Sequence, residues 1–155
     1  MKKTILLLTA FVFTAIASGQ VPDFTGNWKL NNSKSNLNYD FTLAPGVIII
    51  AHKDNDMTIE KHSSFQGQDY TSNDKFTLDG KECVNPGWMD SQKKSTAIWA
   101  DDKKSLKITT NLSAGDVGDV TIVEILKMVE DNMVIESTAT SSYGDLVETM
   151  VYDKQ

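Results

Sequence analysis

Three charged residues lie on strand-like faces that are otherwise apolar. Lys61 shares the alternating face of Met57 and Ile59, and Asp74 and Glu148 hold similar positions in two later segments. A charge without a partner costs several kcal/mol in a dry core, so such groups are paired or reached by water. A water-containing cavity that binds a ligand permits all three. These residues are therefore candidates for orienting the polar end of a ligand.

The remaining candidates follow from the alternation of inward and outward side chains along each strand. The full set of candidate ligand-binding residues is Lys61, Tyr70, Asp74, Glu148, Met150 and Tyr152. We expect Lys61 and Tyr152 to contact the polar end of a mostly apolar ligand, with Asp74 or Glu148 opposite them. The alternative interpretation is that β-bulges shift the register, or that the charges lie at an open rim where water reaches them.

Residues for catalysis or metal binding are few. His52 and His62 are the only histidines, and a turn over residues 53–56 places them several residues apart along one strand pair. Zinc requires three or four convergent ligands, and no serine or cysteine lies in a nucleophile motif. We predict no catalytic residue, no metal and no cofactor, so the chain is not expected to be an enzyme. The enzymatic alternative is an interior acid pair formed by Asp74 and Glu148.

The single cysteine and the charge balance restrict the partners. With Cys83 alone, the chain forms no internal disulfide, and the residue is read either as a small buried side chain or as a thiol activated by Lys81. All fifteen basic residues are lysines, and the formal charge is −6. Nucleic acid and anionic lipid repel such a chain. We expect a small hydrophobic or amphipathic partner, with a protein partner as a further possibility.

Residues 1–19 have the pattern of a signal peptide. Lys2 and Lys3 form a positively charged start, and a run of apolar and small residues over 5–17 ends at small residues. The run is shorter than the ~20 residues of a membrane span. Cleavage near residues 17–19 predicts a mature domain over 20–155 in the periplasm or outside the cell. Removal of the leader takes two lysines and no acidic residue, which changes the formal charge from −6 to −8.

Beyond residue 20 the apolar residues alternate with a period of two, which is typical of β-strands separated by tight turns. Ten segments fit this pattern: 26–30, 47–52, 57–65, 70–78, 81–84, 94–100, 105–112, 117–129, 133–140 and 146–153. Asp79-Gly80 predicts a two-residue hairpin turn between the fourth and fifth. We predict one all-β domain, a single antiparallel up-and-down barrel of about 8–10 strands.

The two ends of the chain resemble the calycins, the superfamily of lipocalins and fatty-acid-binding proteins. Gly26-Asn27-Trp28 is similar to the lipocalin G-x-W motif, and Val151-Tyr152-Asp153-Lys154 to the closing strand of fatty-acid-binding proteins. The resemblance implies that Trp28 plugs the closed end of a lipocalin-like barrel. In lipocalins a basic residue, most often an arginine, usually packs on this tryptophan, and in fatty-acid-binding proteins an arginine lies two places before the tail tyrosine. Here the second place is Met150.

The resemblance extends to small exported bacterial lipocalin-like proteins of unassigned function. It implies a barrel that binds a small, mostly apolar ligand in its interior, driven by burial of apolar surface at ~25 cal/mol per Å². The alternative is a non-catalytic interaction or structural module whose barrel is filled by its own side chains. A sizeable interior space would favour the first function.

Overall fold

The structure is a computed structural model that describes residues 21–38, 41–65, 67–87, 91–113, 115 and 118–155. Within these ranges the chain forms ten strands. They are β1 (Gly26–Leu30), β2 (Val47–Lys53), β3 (Asp56–Phe65), β4 (Gln68–Thr77), β5 (Cys83–Pro86), β6 (Gln92–Trp99), β7 (Ser105–Ser113), β8 (Asp119–Val129), β9 (Asn132–Ser141) and β10 (Gly144–Lys154). The predicted leader over residues 1–19 lies outside the described residues.

All ten strands belong to one antiparallel sheet with the order β4-β3-β2-β1-β10-β9-β8-β7-β6-β5. Every strand pairs with the next one in the chain except β4 with β5, and β1 pairs with β10, where Trp28 lies opposite Lys154. The outer strands β4 and β5 approach each other without a backbone ladder, which leaves one seam in a nearly closed barrel. The predicted all-β up-and-down barrel is confirmed.

Because successive strands run in opposite directions, the connections fall at two ends of the barrel. We call one the closed end; its connections are residues 54–55, 78–82, 100–104 and 130–131. We call the other the mouth; the described residues of its connections are 31–38, 41–46, 67, 87, 91, 115, 118 and 142–143. The apolar core is densest toward the closed end.

Three aromatic residues seal the closed end. Trp28 is fully buried, and its indole Nε1 donates to the carbonyl oxygen of Phe24 at 2.8 Å. The ring of Phe24 stacks on Trp99 with 5.8 Å between centroids. Lys154 Nζ lies 5.3 Å from the centroid of the Trp28 ring, so a lysine takes the place that the resemblance gives to an arginine. Truncation of a buried aromatic of this kind costs about 3–5 kcal/mol.

The predicted hairpin at Asp79-Gly80 is wrong. Asp79 forms an isolated bridge with Ile98 of β6, and the Gly80 N–H donates to the carbonyl oxygen of Ala97 at 2.9 Å. Gly80 has a φ of +78°, which suits glycine, so the Asp-Gly pair makes a turn. That turn directs the chain away from β4 and toward β6. As a result the fifth strand is Cys83–Pro86 rather than 81–84.

Alternation identified the inward faces correctly where one face of a strand is apolar. On β7, Leu106, Ile108 and Thr110 are buried, as expected. The β2–β3 pair turns at residues 54–55, with Val47 opposite His62 and His52 opposite Met57. The two histidines are therefore held apart by the ladder.

Candidate ligand-binding site

The interior of the barrel changes character between its two ends. Toward the closed end the inward side chains are apolar and buried. Toward the mouth several inward positions are only half-buried: Ser63, Tyr70, Ser72, Leu112, Ile122 and Leu146. Solvent therefore enters the mouth half of the barrel, between an apolar wall on β7, β8 and β10 and a more polar wall on β3 and β4.

An ion pair crosses the interior between Lys61 and Glu124. Strands β3 and β8 are five places apart in the ten-strand order, on opposite sides of the barrel. Lys61 Nζ lies 2.7 Å and 2.9 Å from the two carboxylate oxygens of Glu124. The side chains are 21% and 12% exposed. Two charges thus meet in the middle of the barrel, where water still reaches them.

A second ion pair lies over the seam. Lys93 of β6 reaches past β5 to Asp74 of β4, with Nζ at 2.7 Å from Oδ1 and 2.8 Å from Oδ2. The Asp74 side chain is 9% exposed and that of Lys93 17%. The charge of Asp74, which the sequence left without a partner, is therefore neutralised from a strand that is not its neighbour in the chain.

Glu148 fastens the segment that links β1 to β2. Its carboxylate is buried and accepts the backbone N–H of Asn38 at 2.9 Å and that of Leu43 at 3.1 Å. The same segment pairs with β10 through Asn36 and Thr149, whose backbones exchange two hydrogen bonds of 2.8 Å and 3.0 Å. Glu148 thus holds backbone over the mouth, and both its oxygens are in use.

Met150 and Tyr152 are fully buried in the core. The Tyr152 hydroxyl donates to the carbonyl oxygen of Pro45 at 3.0 Å, so it too holds the β1–β2 connection. Burial, and then the negative charges of Glu124 and Glu148, raise the pKa of Tyr152 far above its usual range. The hydroxyl is a neutral donor with a backbone partner.

The structure distributes the predicted site residues over two levels of the barrel. Lys61 and Asp74 face the solvated mouth half, and Tyr70 lies nearer the rim, where its hydroxyl donates to Gln68 Oε1 at 2.8 Å. Met150 and Tyr152 lie deeper, in the core. Of the expected pairings, neither Asp74 nor Glu148 opposes Lys61; Glu124 does.

Two residues of this interior were missed by the sequence analysis, namely Glu124 and Lys93. On β8 the apolar residues occupy both faces, which gave no basis for turning Glu124 inward. The buried state of Leu126, two residues on, shows which face is internal. Lys93 precedes the predicted start of its strand at residue 94, whereas β6 begins at Gln92. A longer strand would have placed Lys93 on the face of Ser95 and Ala97.

The seam between β4 and β5 is closed by side chains. The Asn85 amide accepts the backbone N–H of Lys75 at 2.8 Å and donates to its carbonyl oxygen at 3.0 Å. The Thr77 N–H points to Cys83 Sγ at 3.3 Å. Cys83 is half-buried rather than buried, and its sulfur faces the seam.

Among the described residues, no group of three or more histidine, cysteine, aspartate or glutamate side chains converges as a metal site would need. His62 Nε2 instead contacts Glu60 Oε1 at 2.6 Å on the outer face of β3. In the same part of the chain, no helix has the length and apolar character to cross a membrane.

No family model matches the chain, and no curated protein matches it. Solved structures do. The zebrafish ileal bile acid-binding protein complexed with cholic acid superposes with a TM-score of 0.59 at 17% identity, over 85% of this chain and 98% of that one. The fold is that of the calycin barrels. A secretory abundant heat soluble protein of Ramazzottius varieornatus gives a TM-score of 0.62 at 13% identity, over 85% and 95% of the two chains.

A third calycin barrel, the fatty-acid-binding protein 1 of Echinococcus granulosus, gives a TM-score of 0.53 at 14% identity, over 84% of this chain and 96% of that one. The barrel described above therefore accounts for nearly the whole length of each of these relatives in structure. At such identities the likeness establishes the fold, and the function has to be argued from the interior of this chain.

Proposed function

We propose that the chain is an exported, non-enzymatic carrier that binds a small, mostly apolar molecule in the mouth half of its barrel. One observation carries the proposal: the Lys61–Glu124 pair lies in the middle of the barrel and is still reached by solvent. A core filled by its own apolar side chains would exclude water from this level, and unsolvated charges there would be costly.

The lining above the pair suits such a molecule. Leu112, Ile122 and Leu146 are half-buried and form an apolar wall, which a ligand would cover. Ser72 and Tyr70 face them with polar groups that can orient a ligand. Pockets of this composition, mostly apolar with a few placed polar groups, are typical of small-molecule sites. Two similar barrels bear a bile acid and a fatty acid in their names, which agrees with this use of the fold.

Binding rather than catalysis is proposed because the interior acids already have partners. Glu124 faces Lys61, Asp74 faces Lys93, and Glu148 accepts two backbone N–H groups. A general acid or base needs a proton-accepting site that faces the substrate. Each of these carboxylates instead performs a structural task.

The test is binding of the neutral fluorescent probe N-phenyl-1-naphthylamine to the purified protein. Ser72 lies opposite Lys61 on the inward face, so Ser72→Trp should fill the mouth half and weaken binding at least tenfold. Asn73→Trp is the matched control, because Asn73 is exposed on the outer face of the same strand. Equal affinity in the two variants would place the ligand elsewhere and reject this site.

Export is tested separately. The proposal rests on the leader pattern over residues 1–19. The chain expressed in a bacterium should appear in the periplasmic fraction with a new N-terminus near residues 17–19. Full-length protein retained in the cytoplasm would contradict export, and the proposal for the binding site would be unaffected.

The second candidate function is an interaction module with a filled barrel. It is favoured by the same set of internal partners, since Lys61, Asp74, Glu148 and Tyr152 all contact protein groups. Two open depressions of about 410 Å³ each lie along the rim formed by β5–β8; one of them includes Leu112 of the proposed wall, and neither includes a residue predicted for the site. Absence of any uptake, by native mass spectrometry against a lipid and metabolite panel, would favour this function.

A further inference from the structure

We propose that the ligand of this barrel has a cationic head group, and that the interior discriminates against anionic ones. The inference rests on the proposed function, because it names the chemical class of the molecule that would occupy the mouth half. It is carried by the positions and partners of the charged side chains that point inward.

The inward-facing charges of the mouth half are not balanced. In the described part of the chain they are three carboxylates and two ammonium groups: Asp74, Glu124, Glu148, Lys61 and Lys93. A ligand with one positive charge would make this interior neutral. A ligand with one negative charge would double the excess, in a medium where like charges interact more strongly than they do in water.

Neither ammonium group is available to an anion. Lys61 lies within 2.9 Å of both oxygens of Glu124. Lys93 lies within 2.8 Å of both oxygens of Asp74. A carboxylate ligand could reach either lysine only by displacing a resident carboxylate, which would leave that residue buried without a counter-charge at a cost of several kcal/mol.

The excess negative charge is located at Glu148. Its oxygens accept two backbone N–H groups, and none of the lysines that the structure describes pairs with it. The field of this carboxylate and of Glu124 also reaches Tyr152, where it adds to burial in raising the pKa of the phenol. A cationic head between Glu124 and Glu148 would be attracted by both.

The outer surface around the mouth also carries negative charge. Apart from the β1–β2 connection, the described residues at the strand ends and turns around the mouth, 63–65, 67–70, 86–87, 91–92, 113, 115, 118–119 and 141–145, include no lysine. Asp69, Asp119 and Asp145 are exposed there. Lys81, Lys103 and Lys104 lie in connections at the closed end, next to Lys53 at the end of β2, whereas Lys34 of the β1–β2 connection is paired with Asp153. An opening with one sign of charge concentrates and steers ligands of the opposite sign.

Three probes with one tail and different heads test the inference: decylammonium, decanol and decanoate, each displacing N-phenyl-1-naphthylamine at low ionic strength and neutral pH. Decylammonium should bind best, and decanoate at least tenfold more weakly. All displacement should disappear in Ser72→Trp. This comparison needs no charge variant, so it stands even where a substitution prevents folding.

Charge variants then show which carboxylate causes the preference between the head groups. Glu124→Gln frees Lys61 and should raise the affinity for decanoate while it lowers that for decylammonium. Glu148→Gln should lower the affinity for decylammonium without a gain for decanoate, because it frees no lysine. Glu136→Gln is the matched control: Glu136 is exposed on the outer face of β9, and its loss should leave the ratio of the two affinities unchanged.

The failures are distinguishable. If none of the three probes displaces the reporter and the reporter itself does not bind, the carrier proposal fails. If decanoate or decanol binds the unmodified protein as tightly as decylammonium, the carrier proposal stands and the preference for a cationic head is overturned.

Discussion

The side-chain amide of Asn85 is bonded to both backbone polar groups of Lys75, across the one seam of the barrel where no ladder forms. The amide of Asn85 presents an acceptor and a donor as a strand backbone would. The Asn85 residue is 4% exposed, and its two bonds to Lys75 are partly buried. One side chain therefore continues the hydrogen bonding of β4 where its neighbouring strand does not.

This relationship predicts a localised stability effect. Asn85→Ala removes the partners of two partly buried backbone groups, and should lower the free energy of unfolding by about 2 kcal/mol. Hydrogen exchange should become faster at the Lys75 amide. Asn73→Ala, an exposed asparagine on the same strand, is the control and should change the stability by less than about 0.5 kcal/mol. Urea denaturation and exchange mass spectrometry measure both. Unchanged protection at Lys75 would contradict the proposed role of Asn85.

The seam also separates what the sequence could predict, the strands, from what it could not, the contacts across the barrel. All ten strands were predicted, because alternation with tight turns determines which segments are strands and which face is apolar. Pairing across the barrel depends on closure and stagger, which join residues that are distant in the chain. Lys61 and Glu124 are 63 positions apart in the sequence. The residues around each of them give no indication that the two side chains pair. Glu124 was missed for the additional reason that β8 is apolar on both faces.

The Asp79-Gly80 error has the same origin. An Asp-Gly pair between two apolar segments predicts a tight turn correctly, but its usual meaning is that the flanking strands pair. Here the barrel closes at this point, so β4 and β5 become the two outer strands of the sheet. The turn at Asp79-Gly80 was therefore predicted correctly, but the pairing of the two strands on either side of it was not.

Glu148 should stabilise the backbone conformation of the connection between β1 and β2. Glu148→Gln replaces one acceptor oxygen by an NH₂ group that faces a backbone N–H, so one hydrogen bond is lost. We expect a loss of about 1–2 kcal/mol in unfolding free energy. We also expect faster exchange at the amides of Asn38 and Leu43, which donate to this carboxylate.

Glu136→Gln serves as control for that experiment, since it makes the same chemical change on the outer face of β9. Equal protection of Asn38 and Leu43 in the Glu148→Gln variant and in the unmodified protein would show that the connection is held by its other contacts, such as the Tyr152–Pro45 bond.

The acid dependence of stability should include a contribution from Asp79. Hydrogen bonds from the side chain of Lys81, and then from Thr77, lower the pKa of Asp79 from 3.8 to about 2. Because the pKa is lower in the folded protein, the contribution is complete above pH 3.8 and is lost as the pH falls toward 2. Carboxyl NMR should give a midpoint for Asp79 near 2. Lys81→Met should raise that midpoint, and a midpoint that does not move would exclude the lysine as its main cause.

Tyr152 should make the protein sensitive to alkali. Its pKa is raised by burial and by Glu124 and Glu148, so the unfolded chain loses the phenolic proton first. Stability is therefore unaffected below about pH 10, the ordinary value for tyrosine, and falls as the pH rises above it. Tyr152→Phe should be about 1 kcal/mol less stable at neutral pH, since it loses the bond to Pro45. Its stability should then decline less between pH 10 and 12.

Tyrosinate absorbance near 295 nm provides the direct measurement. If Tyr152 stays protonated until the barrel unfolds, the unmodified protein and Tyr152→Phe should show the same absorbance change while folded, and the unmodified protein should show the larger change on unfolding. Tyr143→Phe is the matched control, because it makes the same substitution at a tyrosine that is 80% exposed. A smaller folded-state change in Tyr152→Phe would mean that hydroxide reaches the phenol in the intact barrel, and that the core around it is open to solvent.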